Sequence, residues 1–506
     1  MNLLWSPEHH QIGDPTIVRV GDEYHLFAEM APLDPDRGGP GTRVVGHAVS
    51  RDLFRWEELP TALGCGPPGS FDAYNIYHMD VLVHEGTWWM FYTGLDRGGP
   101  GEQQSIGLAT SPDGIGWTKH PGNPILRADP RWYEPAIPRE ATYQQKDFGR
   151  LWFRDPCVVR DPATGQWVMI VVARDAARHP DVRGCLALAT SEDLVHWELR
   201  PPIFSTGRFH TIETPSLFER DGLWYLVYMT HPGWGPPILA TDPYQDAGDF
   251  YAISRSGPTG PFERPADEVL VASNGRHQRM GACRTVDGPD GERFLYGWLR
   301  MDPGPGDDPP RRRPLKVIPP PRRVRFDADG AMHAAYHEGI ERFCVPAGPY
   351  PALEPREPDR WPSPGIGKHL QGRTIALYPV RPLAVAEERN VIFSTTIRFE
   401  RGERAGLVLR ADADGQRGWQ VIADRRFGRI EFGLLDEPGF IDARAWAPAD
   451  EVELRVVAYE ESVEVYANGR LMIHQVRHRE TAGRLGLIVE RAEAQFSGGG
   501  LLRFRE

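Results

Sequence analysis

The chain has 506 residues, 40% of them hydrophobic, and carries a formal net charge of -12 at pH 7. This apolar content suffices for a large buried core, while the acidic balance excludes nucleic acid as a partner, because phosphates are bound on a basic face. Apolar runs such as 168–173 fall far short of the ~20 residues of a membrane helix, so no membrane partner is predicted.

The opening run Met1-Asn-Leu-Leu-Trp-Ser-Pro has neither the basic start nor the apolar stretch of a secretory signal. The cysteines Cys65, Cys157, Cys185, Cys283 and Cys344 form an odd, scattered set without the spacing of a disulfide framework or a zinc site. Both features predict a cytoplasmic protein with buried thiols, secretion by another route staying open. The lysines are Lys119, Lys146, Lys316 and Lys368, so arginine carries nearly all the positive charge.

In chain order, one phrase recurs five times between Asp14 and Trp298. An acidic or polar residue opens an apolar strand, a Gly or Asp turn follows, and an aromatic-rich strand returns. The first copy is Asp14-Pro-Thr-Ile-Val-Arg-Val, answered by Tyr24-His-Leu-Phe-Ala. The second is Asp80-Val-Leu-Val with Trp88-Trp-Met-Phe-Tyr, and the third Asp155-Pro-Cys-Val-Val with Trp167-Val-Met-Ile-Val-Val. Glu213-Thr-Pro-Ser-Leu-Phe with Leu223-Trp-Tyr-Leu-Val-Tyr is the fourth, and a weaker fifth pairs 280–286 with 294–298. Each of the first three copies continues into a short strand and an aromatic-closed turn, as in 47–56, 108–117 and 188–197; the fourth degrades at 253–262. Even the loop 36–41 recurs as 96–101. Four short antiparallel strands per copy make one propeller blade.

Beyond Asp302 the composition turns to Pro, Gly, Asp and Arg, which supports no strand or helix interior. Hairpin signals follow at 324–333, partial helical spacing at 338–344, and then eight or more short alternating strands from Val391 onward. The predicted fold is all-β: a five-bladed β-propeller over 1–302, a Pro-rich linker and connecting segment over 303–365, and a C-terminal β-sandwich over 366–506.

In a propeller the innermost strands line a channel, and the residues at their starts meet at its mouth. Those residues are Asp14, Asp80, Asp155, Glu213 and the 277–280 region. Crowded carboxylates raise one another's pKa, an arrangement suited to a reaction that needs one carboxyl protonated and another ionised, as glycoside hydrolysis does. The plainer reading of an Asp at a strand start is a turn residue, and Asp52, Asp113 and Asp193, in Ser-x-Asp turns, are given that role.

At this point the chain resembles the five-bladed furanosidases of glycoside hydrolase families 32, 43, 62 and 68. Phe153-Arg154-Asp155-Pro156 is similar to the Arg-Asp-Pro motif of family 32, and Ile212-Glu213-Thr214-Pro215 stands where that family has Glu-Cys-Pro. The segment 315–330 resembles the Pro-Arg strand and Asp-Gly turn that lead from propeller to sandwich, and 452–469 resembles a strand pair of the C-terminal domain. One departure is Ile12-Gly13-Asp14-Pro15-Thr16, which is closer to the first acidic motif of family 43 than to Asn-Asp-Pro-Asn-Gly; His277 is likewise similar to the central histidine of family 43.

The resemblance implies that Asp14 is the nucleophile of a retaining enzyme or the general base of an inverting one, that Glu213 is the general acid, and that Asp155 binds sugar hydroxyls and stabilises the oxocarbenium-like transition state or tunes the pKa of the acid. Burial beside Ile212 would keep Glu213 protonated, and Arg154 would keep Asp155 ionised while holding sugar hydroxyls. Asp80, Asn75, His78, Trp152 and His277 are the other expected substrate contacts, with Trp5, Trp132 and Tyr133 read as stacking or packing aromatics.

No cofactor and no metal are predicted, since His9, His10 and His210 lack ligand spacing; a channel calcium held by oxygens stays open. The expected activity is hydrolysis of terminal furanosides in an oligosaccharide or polysaccharide, foremost a retaining β-fructofuranosidase. An inverting α-L-arabinofuranosidase or β-xylosidase, or a carbohydrate-binding propeller without catalysis, are the alternatives.

Overall fold

The computed structural model describes residues 2–34, 39, 41–97, 103–134, 152–231, 247–273, 279–302, 315–346, 354–356, 369–377, 389–412, 415–437, 439–479 and 482–505. His277 and the repeated loop 36–41 and 96–101 lie wholly or largely outside them. The architecture is all-β, with propeller-like blades followed by a large C-terminal sheet.

Four separate sheets have four antiparallel strands each, in simple chain order. The first comprises His10–Val20, Glu23–Pro32, Val44–Ser50 and Glu57–Gly64; the second Asn75–His84, Thr87–Leu95, Gln104–Ser111 and Thr118–Lys119. Arg154–Arg160, Trp167–Arg174, Gly184–Ser191 and Glu198–Ser205 form the third, and Glu213–Arg220, Leu223–Thr230, Ala247–Ser254 and Val269–Ser273 the fourth. Middle strands are covered on both faces by neighbouring sheets, so Trp167–Arg174 is buried at every position and reads as a continuous apolar run. Outer strands such as Glu57–Gly64 face water and are mostly exposed.

The fifth copy differs. Met280–Asp287 and Arg293–Arg300 pair as predicted, but the third place is shared by Lys316–Val317 and Arg322–Phe326, and the pairing runs on through Met332–Ala335 into the C-terminal sheet. The composition after Asp302 gives the physical reason: a Pro-rich sequence supports no strand interior, and the fifth unit takes its outer strands from beyond it.

Apolar clusters between successive units form a cycle. Phe27 and Val45 meet Ile76 and Met90, Phe91 and Leu108 meet Val158 and Met169, and Cys157 and Ile170 meet Leu217 and Phe250. Val227 meets Cys283 and Leu295, and Val286 and Trp298 meet Ile12 and Leu26 of the first sheet. Each such side chain contributes about 1.5–3 kcal/mol on burial. Asp52, Asp113 and Asp193 hold turns: Asp113 Oδ1 accepts the amides of Ile115 and Gly116, both at 2.9 Å.

In the C-terminal sheet the long strands Val391–Ala411 and Arg484–Phe504 pair along their length. The cluster at the seam joins Tyr225 and Tyr251 to Tyr336, Phe343, Ile392 and Tyr459. Arg444 reaches the Val269 carbonyl and Arg470 the Asp267 carboxylate across the seam. The partial helical spacing at 338–344 becomes a 3₁₀ helix, Glu338–Phe343. All five cysteines are free thiols, four of them buried, and no helix among the described residues is long and apolar enough to cross a membrane.

Candidate active site

Each of the five innermost strands breaks register with its neighbour. The shifts fall between Ile12 and Pro15, Tyr77 and Met79, Arg154 and Cys157, Glu213 and Ser216, and Gly281 and Arg284. A β-bulge turns side chains out of strict alternation and re-aims them. Within these bulges Asp155, Thr214 and Ala282 hold φ of 56°, 45° and 52°, a conformation uncommon for residues other than glycine and costly for a β-branched one. These kinks bring Asp14, Asp155 and Glu213 to one pocket.

The pocket, about 210 Å³, is lined by those three acids and Arg154, together with Glu29, Arg43, Tyr77, Met229, His231, Trp298 and Lys316. Asp14 Oδ1 accepts the indole N–H of Trp298 at 2.7 Å. Burial opposes ionisation of Asp14, but Lys316, His78, the indole N–H and Arg154 outweigh it and hold its pKa below the usual carboxylate value. Asp155 Oδ2 accepts the amide of Thr214 at 3.1 Å, and its own amide donates to Thr93 Oγ1 at 2.9 Å.

Arg154 departs from expectation. Its Nη2 pairs directly with Glu213 Oε1, whereas its Nε lies 3.7 Å from Asp155. The guanidinium is also stacked on Trp152, 3.9 Å from the ring centroid. The second oxygen of Glu213 lies 2.8 Å from His231 Nε2.

A fourth carboxyl, Glu29, pairs with Arg43 at 3.1 Å. Burial, aided by the charges of Asp14 and Asp155 and opposed by Arg43 and Lys316, pushes its pKa up to about 7. Behind Met229, the buried Asp249 accepts the Cys283 amide at 2.9 Å and is likewise pushed by burial up to about 7.

Several expected contacts stand elsewhere. The second-blade bulge falls on His78, so Asp80 lies further along the strand, buried, where it pairs with Arg284 at 2.9 Å and accepts the Val158 amide at 2.7 Å. His78 is fully buried; its Nε2 lies 3.2 Å from Arg284 Nη1 and 3.4 Å from Thr16 Oγ1. Because arginine only donates, Nε2 accepts and the ring proton sits on Nδ1. Burial first, and Arg284 as well, hold this histidine below its ordinary pKa.

Asn75 is buried and, like Asp80, His78 and Trp152, does not line the pocket. Trp152 instead backs Arg154. Trp5 packs on Trp56 with ring centroids 6.2 Å apart, and Trp132 and Tyr133 pack edge to face. His277 lies outside the described residues.

The sequence reading passed over seven lining residues. Glu29 carried a signal, as a charge ending the apolar run Tyr24–Ala28, and so did Lys316, one of four lysines, in the motif before the Pro-Arg strand. Arg43 and His231 lie just outside the named strands and carried none. Among the described residues, no group of three or more His, Cys, Asp and Glu is arranged to hold a metal ion.

Residues 5–330 match the family described as Glycosyl hydrolases family 32 N-terminal domain. The chain belongs to glycosyl hydrolase family 32. A levanase of Bacillus sp. (strain L7) is 27% identical over 95% of this chain and 49% of its own length. A levanase of Bacillus subtilis (strain 168) is 28% identical over 92% of this chain and 64% of its own. The chain thus spans less than two thirds of either relative. An exo-inulinase from Aspergillus awamori shares the fold at a TM-score of 0.69 and 18% identity, covering 100% of this chain and 98% of that one. Within family 32, the run Ile12–Thr16 stays a departure, since Gly13 stands where the motif has the Asn before its Asp.

Proposed function

We propose that this family 32 chain is a β-fructofuranosidase of the invertase, levanase or inulinase kind, releasing terminal fructosyl units with retention. The observation that carries the reading is the meeting of Asp14, Asp155 and Glu213, from three different sheets, on one pocket. The likeness to proteins named levanase and exo-inulinase points to fructans as the substrate class.

In this reading Asp14, kept ionised and with one oxygen fixed by Trp298, attacks the anomeric carbon. Glu213 donates a proton to the leaving oxygen, so that a fructosyl–Asp14 ester forms as the glycosidic bond breaks. Glu213 then takes a proton from water, which attacks the same carbon and frees Asp14. Asp155 holds sugar hydroxyls and stabilises positive charge developing at the ring, and Arg154 sets the orientation of the Glu213 carboxyl. The fifth strand unit is read as the last blade of a five-bladed propeller, whose outer strands at 316–326 carry it past the expected boundary at 302, with 366–506 as a β-sandwich that buttresses it. Five unpaired thiols support a reducing, cytoplasmic setting.

The test is release of free sugar from sucrose, inulin, levan and nitrophenyl furanosides. Fructose from the first three supports the reading; release of arabinose or xylose alone would replace it with the family 43 type. Product anomers followed by NMR separate retention from inversion, the second reading that Gly13-Asp14-Pro15 favours. Binding of the sugars without turnover by any of them would leave a carbohydrate-binding propeller.

A further inference from the structure

Lys316 occupies a singular place. It opens the two-residue strand Lys316–Val317, which pairs with Leu299 and Arg300 just beyond Trp298. The Gln11 side chain ties the same segment to the first blade, accepting from the Leu315 amide at 2.8 Å and donating to the Lys316 carbonyl at 3.4 Å. The seam that closes the ring therefore delivers a lysine to the pocket wall. Its Nζ lies over the Trp298 ring, 4.2 Å from the centroid, and among the described residues it makes no ion pair. The same indole gives its N–H to Asp14 Oδ1 at 2.7 Å, while Oδ2 accepts no hydrogen bond among the described residues.

We propose that Lys316 is a positioning residue for Asp14: its ammonium clamps the Trp298 ring, whose N–H fixes one carboxylate oxygen and leaves the other open toward the pocket. A cation over an aromatic face is held by the ring quadrupole, and indole polarised in this way donates a stronger hydrogen bond. The proposal deepens the reading of Asp14 as nucleophile and rests on it.

The electrostatics agree. Lys316 is the foremost charge favouring ionised Asp14, with Arg154 of the third blade adding to it, and the His78 ring of the second blade also faces Asp14. Glu29 of the first blade and Asp249 of the fourth feel the Asp14 charge from the other side. Burial lowers the pKa of Lys316 itself, against the pull of Asp14 and Glu29.

The experiment uses the full chain labelled with 5-fluorotryptophan, the Trp298 resonance being assigned by its loss in Trp298→Phe. In the wild type that 19F signal reports the acid titration of Asp14, and it stays flat in Asp14→Asn. In Lys316→Met the midpoint rises by about 1 pH unit, the size expected for loss of one nearby opposite charge. The acid limb of kcat/KM for sucrose rises with it, because the nucleophile must be ionised, and Lys316→Arg restores both. Lys316→Gln gives the same shift should the Met variant fold poorly. An unmoved midpoint and acid limb, with a change in KM alone, would make Lys316 a substrate contact and overturn the proposal. If the wild type cleaves no fructoside, the functional reading falls, while the 19F titration still decides the role of Lys316.

Discussion

Arg154 forms an ion pair with the carboxylate of Glu213, on the next blade, while its Nε stands 3.7 Å from Asp155, its neighbour in sequence. The bulge between Arg154 and Cys157 separates the directions of the two adjacent side chains, so that one arginine links a pair of acids and is itself backed by Trp152. Arg154→Leu leaves both carboxylates without their buried cation. It should lower stability by about 3 kcal/mol, within the range for breaking a buried pair, and abolish turnover; Arg154→Lys keeps the charge but not the planar fork and should recover stability more than activity. Urea midpoints and kcat/KM measured side by side check both.

On the proposed mechanism, Glu213→Gln removes the proton donor but keeps the shape. The expected loss in kcat for an unactivated fructoside is about 10²–10⁴-fold, with much smaller loss on a substrate whose leaving group needs no protonation. Comparing sucrose with a nitrophenyl fructoside reads this directly. Equal losses on both would move the acid role to another residue.

Asp80 and Arg284 form a buried ion pair between inner strands, joined to His78 and Thr16. Asp80→Asn should therefore destabilise the fold by about 3–5 kcal/mol, through an uncompensated buried charge, while the folded fraction keeps its KM. Thermal unfolding together with KM distinguishes this structural role from the substrate contact expected from sequence.

Glu29 gives a pH signature. Its pKa rises on folding from the ordinary 4.5 to about 7, so between these values the native state binds the proton more tightly than the unfolded chain does. Stability contributed by the protonated form is present below pH 4.5 and lost as pH climbs to 7, by about 3 kcal/mol at 1.36 kcal/mol per unit. Glu29→Gln, which cannot ionise, should flatten this decline, leaving the part due to Asp249. Unfolding free energies at pH 5, 6, 7 and 8 for both proteins test it; parallel curves would refute it.

Strand alternation and turn residues are local signals, so the five repeats, the Pro-rich stretch and the later strands were legible from sequence, and so were Asp14, Asp155 and Glu213 as acids of the inner strands, although the first strand begins at His10 and places Asp14 within it. The same reasoning put Asp80 with them, because its strand opens alike. The bulge that aims a side chain at the mouth falls two residues earlier, on His78, and nothing in the local pattern marks it.

By itself the sequence determined which segments become strands, where hairpins turn and which acids lie on the inner strands, since each follows from the chemistry of a few consecutive residues. Only the closed ring decided the company those acids keep. Lys316, His231 and Glu29 stand far from Asp14 and Glu213 in sequence or on different strands. They meet them because the cores between units close in a cycle, and burial in that shared pocket turns their charges into neighbours that water no longer screens.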